Sequence, residues 1–175
     1  MKWKQVVRGF LLFAGFLAAV SVVGYLVVPS WTVTASALSS ASPQQIWAWY
    51  TDTPDVPQWD HLVKQVIAHG PFEVGTQGEN MPYSGPVMHW TLTQVAVNKS
   101  YTETSRLPLA TLEATHVVSV QDNVTQITHG ITVHGPAAWV YRFLFRKQID
   151  DGMRQAINDL AAGAPNGLPH KVGGR

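Results

Sequence analysis

Two histidines, His116 and His129, offer the clearest chemistry in this chain. The turn residues Gln121-Asp122-Asn123 separate two alternating stretches, Leu112–Val120 and Val124–His134, which therefore pair as an antiparallel hairpin. Counting back from the turn places the two imidazoles nearly opposite each other. Each shares a face with apolar neighbours: Leu112, Ala114, Val118 and Val120 for His116; Ile127, Ile131 and Val133 for His129. Two imidazoles on an apolar face can relay a proton near neutral pH or hold the polar head of a ligand. They can equally be a hydrogen-bonded pair that fills the sheet, because buried polar groups are as a rule satisfied. A metal site is not expected. No third ligand stands at a matching spacing, and no His-Glu-x-x-His helix is present.

Other chemistries find less support. Cysteine is absent, which removes thiolate nucleophiles, disulfides and Cys-based metal sites together. Glu103 and Glu113 lie on strand-like stretches without a second carboxylate at a useful spacing, and both are expected on a solvated face. There is no Gly-x-Ser-x-Gly elbow, and Gly75-x-x-Gly78 is too short for a phosphate or dinucleotide loop. No cofactor is expected. The formal charge is only +1 and the longest basic run is Arg146-Lys147, so nucleic acid is not an expected partner.

The strand carrying His129 runs through Gly135 and Pro136 into a long amphipathic segment. Ala138, Tyr141, Phe145, Ile149, Met153, Ala156 and Leu160 recur at three- and four-residue steps and form one helical stripe. Lys147, Asp150, Asp151, Arg154 and Asn158 lie opposite, and Gly163 with Pro165 ends the helix. Tyr141, Phe145, Ile149 and Met153 thus point toward the sheet, either as core or as a ligand wall. Arg142 falls within the stripe, where it either snorkels to a cavity mouth or pairs with an acidic ligand group. Trp90 shares a face with Leu92 and is either core or cavity lining. Trp139, Val140, Phe143 and Leu144 make the first half of the helix apolar nearly all round, with Arg146 and Lys147 next. Such a surface suits a membrane boundary or packing beneath short helices around Trp47 and Trp59. Packing is the expectation, since a fold must cover that end of the helix.

Upstream, Trp31–Leu38 alternates as a strand. Ser42 and Pro43 open a helix over Gln44–Tyr50, and Thr51–Trp59 forms a turn or short helix. Leu62–Ala68, a twisted hairpin segment over Phe72–Met81, Val87–Val97 and Ser100–Leu107 complete the strands before His116. At the front, residues 1–8 are basic, with Lys2, Lys4 and Arg8, and residues 9–29 are apolar. About 20 apolar residues cross a bilayer, so this segment is expected to be an uncleaved single-pass anchor. The apolar part of a cleaved signal is shorter, and the Ala35-Ser36-Ala37 pattern that could be cut lies inside a strand. The preceding cations favour a cytoplasmic N-terminus with the domain on the outer side. About 145 residues remain, enough for one domain. Residues 163–175, rich in Gly and Pro, are expected to be a disordered tail.

Several features together resemble the START-like helix-grip (SRPBCC) superfamily, in its polyketide cyclase/dehydrase and lipid-transport form. They are the strand followed by Ser42-Pro43-Gln44-Gln45-Ile46-Trp47, the Asp52…Trp59 spacing, the Gly70…Gly75-Thr76 step, and Val124-Thr125…His134-Gly135-Pro136 leading to Leu160. The resemblance covers about Trp31 to Ala162; the family is mostly soluble, so the anchor is a departure. It implies an α+β domain over residues 30–162, a curved antiparallel sheet wrapped around a long C-terminal helix, preceded here by one transmembrane helix. It also implies a cavity between sheet and helix for a hydrophobic small molecule, lipid or polyketide/isoprenoid-like. Trp90, His116, His129, Tyr141, Arg142, Phe145, Ile149 and Met153 are the ligand-facing candidates. The expected role is a membrane-anchored binding or carrier domain. Two alternatives stay open: a cyclase or dehydrase with His116 and His129 as acid and base, and a tethered protein-interaction domain without a ligand.

Overall fold

The computed structural model describes residues 2–167. Helix α1 (Lys2–Val27) leads into strand β1 (Ser30–Ser39), helix α2 (Pro43–Thr51) and a 3-10 turn over Thr53–Gln58. Strands β2 (Val63–Ala68), β3 (Gln77–Pro82), β4 (Met88–Ala96), β5 (Ser100–Leu107), β6 (Ala110–Gln121) and β7 (Val124–His134) follow, and helix α3 (Ala138–Gly163) closes the domain. The seven strands form one antiparallel sheet in the order β1-β7-β6-β5-β4-β3-β2. This is the curved sheet and closing helix anticipated above, with the helix lying over β1 and β7.

Alternation sets the two faces of the sheet. Trp31, Val33 and Ala35 on β1, and Ile127, His129 and Val133 on β7, are buried on the concave side. The convex side carries hydroxyls instead: Thr32 bonds Thr132 and Ser36 bonds Thr128, each at 2.9 Å. Both ends of α3 are pinned to β1. The Trp31 indole N–H donates to the Ala138 carbonyl at 2.8 Å, and the Ser39 hydroxyl donates to the Ala161 carbonyl at 2.8 Å. At α2, Ser42 and Gln45 form a capping box: the Ser42 hydroxyl accepts from the Gln45 N–H, and the Gln45 side chain accepts from the Ser42 N–H.

One glycine is fixed by close approach. The Trp90 ring lies flat over Gly78, where an added Cβ would stand 2.1 Å from the indole and 2.4 Å from the Ile67 carbonyl oxygen. Gly78→Ala should therefore destabilise the domain by about 1–3 kcal/mol or more, read as a lowered denaturant midpoint. A midpoint within error of the parent would mean that the Trp90 packing is loose.

The two halves of α3 differ. Met153, Ala156, Ile157, Leu160 and Ala161 are buried, whereas Phe143 is 85% exposed, Leu144 57% and Phe145 42%. The expectation that the short helices cover the first half is thus corrected. Helix α2 begins just beyond the end of β1, on the side where α3 finishes, and the Trp49 ring packs on Gly163. Ten residues of β1 separate that end from the start of α3, about 33 Å at strand spacing, so α2 cannot reach it. Trp47 instead packs edge-on against Phe72 and Tyr101.

Helix α1 is long and apolar enough to cross a membrane, and its side chains are exposed along its length. Length and composition alone do not separate a span from a signal sequence. At the other terminus, Gly163 belongs to α3, and Ala164–Asn166 adds a 3-10 turn with Ala164 fully buried. The remainder of the expected disordered tail, residues 168–175, lies outside the described residues.

Candidate functional site

The hairpin register places His116 directly opposite His129, with ring centroids 4.4 Å apart at 72°. The neighbouring pairing of β5 with β6 sets Tyr101 opposite His116, and the two rings stack at 4.1 Å and 7°. From α2, the Tyr50 hydroxyl reaches the His129 Nε2 at 2.8 Å. Tyr50 also meets Tyr101, His116 and Trp59 edge-on. His129 is 3% exposed and has its hydrogen-bond partner, as a buried polar group requires. His116 differs. Its Nδ1 is buried and finds no protein partner.

Two carboxyl groups complete the polar centre. Glu103 is two residues from Tyr101 on the same face of β5, opposite Ala114. Asp60 follows the 3-10 turn, and its Oδ1 accepts the Leu62 N–H at 2.9 Å. Burial pushes the Glu103 carboxyl up to about 8, with the nearby Asp60 charge adding to the shift. Burial likewise raises Asp60, against smaller opposing effects from the Leu62 N–H and His61. The histidines move the other way: burial holds His129 down at about 3 and His116 well below its ordinary value, helped there by His129. Burial raises Tyr50 and Tyr101 well above the usual tyrosine value. All four shifts of His and Tyr, and that of Glu103, favour the uncharged form at neutral pH. The centre is therefore polar but nearly free of charge, with a carboxyl O–H as donor and imidazole nitrogens as donors or acceptors.

Glu103 and His116 are deeply enclosed by protein, yet both keep part of their surface free of packing. Ala114 and Ile131 beside them on the concave face, and Tyr141 and Ile149 on α3, are also only partly covered. These residues keep some accessible surface, so the concave face is less tightly packed there than an ordinary core.

The structure thus brings His116 and His129 together; on α3, Tyr141 and Ile149 are partly covered and Phe145 is exposed. Tyr141 and Phe145 lie 6.2 Å apart, and the Tyr141 hydroxyl donates to the Pro108 carbonyl at 3.3 Å. Met153 is buried in the core cluster at 4% exposure. Trp90 lies on the concave face of β4, with its indole N–H already donated to the Asn80 side chain at 2.8 Å. Arg142 is a correction: it is exposed and stands with Trp139, Phe143 and Arg146 along an open groove beside α1, not within the inward stripe. Glu103 is another, since it faces the interior and not solvent. Sequence reasoning also passed over Tyr50, Tyr101 and Asp60. Counting across the Pro108-Leu109 turn, as for the histidines, would have set Tyr101 opposite His116 and Glu103 opposite Ala114. Among the described residues no three His, Asp or Glu side chains converge as metal ligands.

Residues 30–164 match the model of the family described as polyketide cyclase/dehydrase and lipid transport. The chain belongs to this family. No curated protein is significantly similar in sequence. Among solved structures, that of Ara h 8.0201 superposes with a TM-score of 0.63 at 10% identity, covering 78% of this chain and 99% of its own. The Zhui aromatase/cyclase from Streptomyces sp. R1128 also gives 0.63 at 10% identity, over 78% of this chain and 94% of its own. Protein MLL2253 from Mesorhizobium loti gives 0.63 at 17% identity, over 78% and 98%. These likenesses establish the SRPBCC, or Bet v 1-like, fold.

Proposed function

We propose that this protein is a membrane-anchored binding or carrier domain for a hydrophobic small molecule with an uncharged polar end. The observation that carries the reading is the buried, unpartnered His116 Nδ1 in a polar centre that burial keeps largely uncharged, on a concave face whose neighbours Ala114 and Ile131 are only partly covered. A buried polar atom without a partner is costly, and a ligand hydroxyl or carbonyl would satisfy it. A charged head group would lose its hydration there without a counter-ion. Membership of a family whose description includes lipid transport supports the same reading.

The test is mass spectrometry of apolar material that co-purifies with the full chain and with Phe145→Trp/Ile149→Trp. The parent should carry a defined species and the variant should lose it, while thermal stability stays close to the parent's. In a solid core the same insertions would cost about 1–3 kcal/mol, and the parent would carry nothing. That outcome would favour the tethered interaction domain.

Helix α1 supplies the anchor in this reading, with Lys2, Lys4 and Arg8 cytoplasmic and the domain on the outer side. The full chain should remain with membranes through alkaline carbonate washing. A reporter fused after Leu160 that works only in the cytoplasm would reverse the orientation. Recovery of a mature chain starting near Leu38 would show cleavage instead.

A cyclase or dehydrase remains the second reading, favoured by the likeness to an aromatase/cyclase fold and by the contiguous polar centre. The geometry changes its cast. Imidazoles held neutral by burial are weak bases, whereas a carboxyl that titrates near 8 is a suitable acid at neutral pH. In an enzyme, Glu103 would be the acid and His116 its partner at the ligand.

A further inference from the structure

The sheet has two ends, and the surface features collect unequally between them. At one end, α1 leaves the domain, α3 begins, and the β3–β4 and β5–β6 connections turn. Backbone bonds fasten these parts together: the Gly135 N–H donates to the Pro29 carbonyl at 3.0 Å, and the Ala137 N–H donates to the Leu109 carbonyl at 2.9 Å. The exit of α1 therefore has a fixed place beside the start of α3. The Trp139 ring lies directly against Gly24 of α1. At this end stand Leu109, Phe143 and Leu144, each more than half exposed, with the exposed Tyr83 farther along in the β3–β4 connection. Exposed aromatic and aliphatic side chains in such a cluster are costly in water.

Arg142 and Arg146 share one side of α3 with Trp139 and Phe143, bordering the groove of about 820 Å³ between α3 and α1. Neither arginine has an ion-pair partner among the described residues. Further along the helix, Lys147 and Arg154 pair with Asp151 and Asp150. No acidic residue occurs between Asn123 and Ile149. The unpaired cations are thus confined to the apolar half of the helix, next to the point where α1 emerges.

We infer that this end of the domain docks on the surface of the bilayer that α1 crosses. Phe143, Leu144 and Leu109 enter the headgroup layer, and Arg142 and Arg146 meet the phosphates of anionic phospholipid. The inference rests on the reading of α1 as a span. A helix anchored in a bilayer holds its own exit at the membrane surface, and the exit is fastened to this apolar and cationic rim. Aromatic side chains with adjacent cations are the composition suited to the bilayer boundary.

Because the chain has no cysteine, single labels can be placed at will. Phe143→Cys, Leu109→Cys, Val97→Cys and Phe13→Cys, each in the full chain, would carry an environment-sensitive fluorophore in nanodiscs. Val97 is exposed at the opposite end of the sheet, and Phe13 lies within α1. The two lipid compositions are phosphatidylcholine alone and phosphatidylcholine mixed with phosphatidylglycerol. Labels at 143 and 109 should be shielded from iodide and quenched by lipid-borne spin labels near the headgroups, whereas the label at 97 should be open to iodide. Adding Arg142→Gln/Arg146→Gln should weaken docking on the anionic discs by roughly 25-fold, at about fivefold for each cation near the surface. On phosphatidylcholine alone the same change should do little.

A label at 143 as open to iodide as that at 97, in both lipids, would overturn the inference. So would shielding at 143 that arises from a second copy, seen as dipolar coupling between spin labels at 143. Shielding at 13 without shielding at 143 removes only this inference. Loss of shielding at 13 removes the anchor as well.

Discussion

Folding stability should reach its maximum near pH 6.5 and fall on both sides. On the acid side, His116 and His129 are neutral in the folded protein at pH values where an unfolded histidine takes up a proton. The unfolded state then binds more protons, so stability falls as pH drops from about 6.5, the unperturbed histidine value. Glu103 acts in the opposite sense. Its folded value of about 8 exceeds the ordinary carboxyl value, so the folded state holds the extra proton and stability is lost as pH rises toward 8. Between about pH 4.5 and 6.5 two histidines outweigh one glutamate, so the unfolded state binds the more protons and stability rises with pH. Asp60, also raised, reduces that slope at its acid end. Above about pH 6.5 the histidine contribution fades while Glu103 in the folded state still holds its proton, so the slope reverses sign and is shallower than on the acid side. Denaturant unfolding followed by tryptophan fluorescence from pH 4 to 9 reads both limbs. Glu103→Gln should abolish the alkaline limb and keep the acid one. A flat profile in the parent would mean that water reaches the polar centre freely.

The second large effect separates the two histidines. His129→Phe leaves the Tyr50 hydroxyl buried without its partner and should cost about 1–3 kcal/mol of stability. His116→Phe keeps a flat ring on Tyr101 and removes an unpartnered buried nitrogen, so stability should hold or rise. Affinity for the co-purifying ligand should fall by about two- to tenfold, the worth of one hydrogen bond. An enzyme would answer differently. Both variants would then lose about 10²–10⁴-fold in rate with little change in ligand affinity, and the carrier reading would be abandoned.

What could be seen in the sequence follows from which constraints are local. Strand alternation and a tight turn at Gln121–Asn123 fix a register, and that register alone sets His116 against His129. The same logic reaches Tyr101 and Glu103 through the Pro108-Leu109 turn, but glutamate on a strand is usually solvated, and that general tendency prevailed over the count. Tyr50 was beyond reach, because only the way α2 folds back over the sheet brings its hydroxyl to His129. Arg142 shows the limit of a helical wheel. It lies about 40° from Ala138 and about 60° from Phe145 at 100° per residue, at the same angle as the buried Leu160, so the wheel alone sets it inside the stripe. Which side it joins depends on α1, a neighbour outside the helix's own periodicity. The uncovered first half of α3 was misjudged for a similar reason: where α2 sits is decided by the length of β1.

The pairing of β1 with β7 has a consequence for how the domain is made. Thr32 meets Thr132 a hundred residues later, and β7 lies between β1 and β6 in the finished sheet. The first strand synthesised must therefore wait, tethered by α1 and unpaired on both edges, until the last strand arrives to fill the gap. Loop closure over such a separation is entropically expensive and slows folding. Chains ending before Val124 should leave β1 without its partner strand, prone to pair with another molecule. The order of synthesis thus makes the final strand and helix a single committing step, and every earlier intermediate is an incomplete sheet.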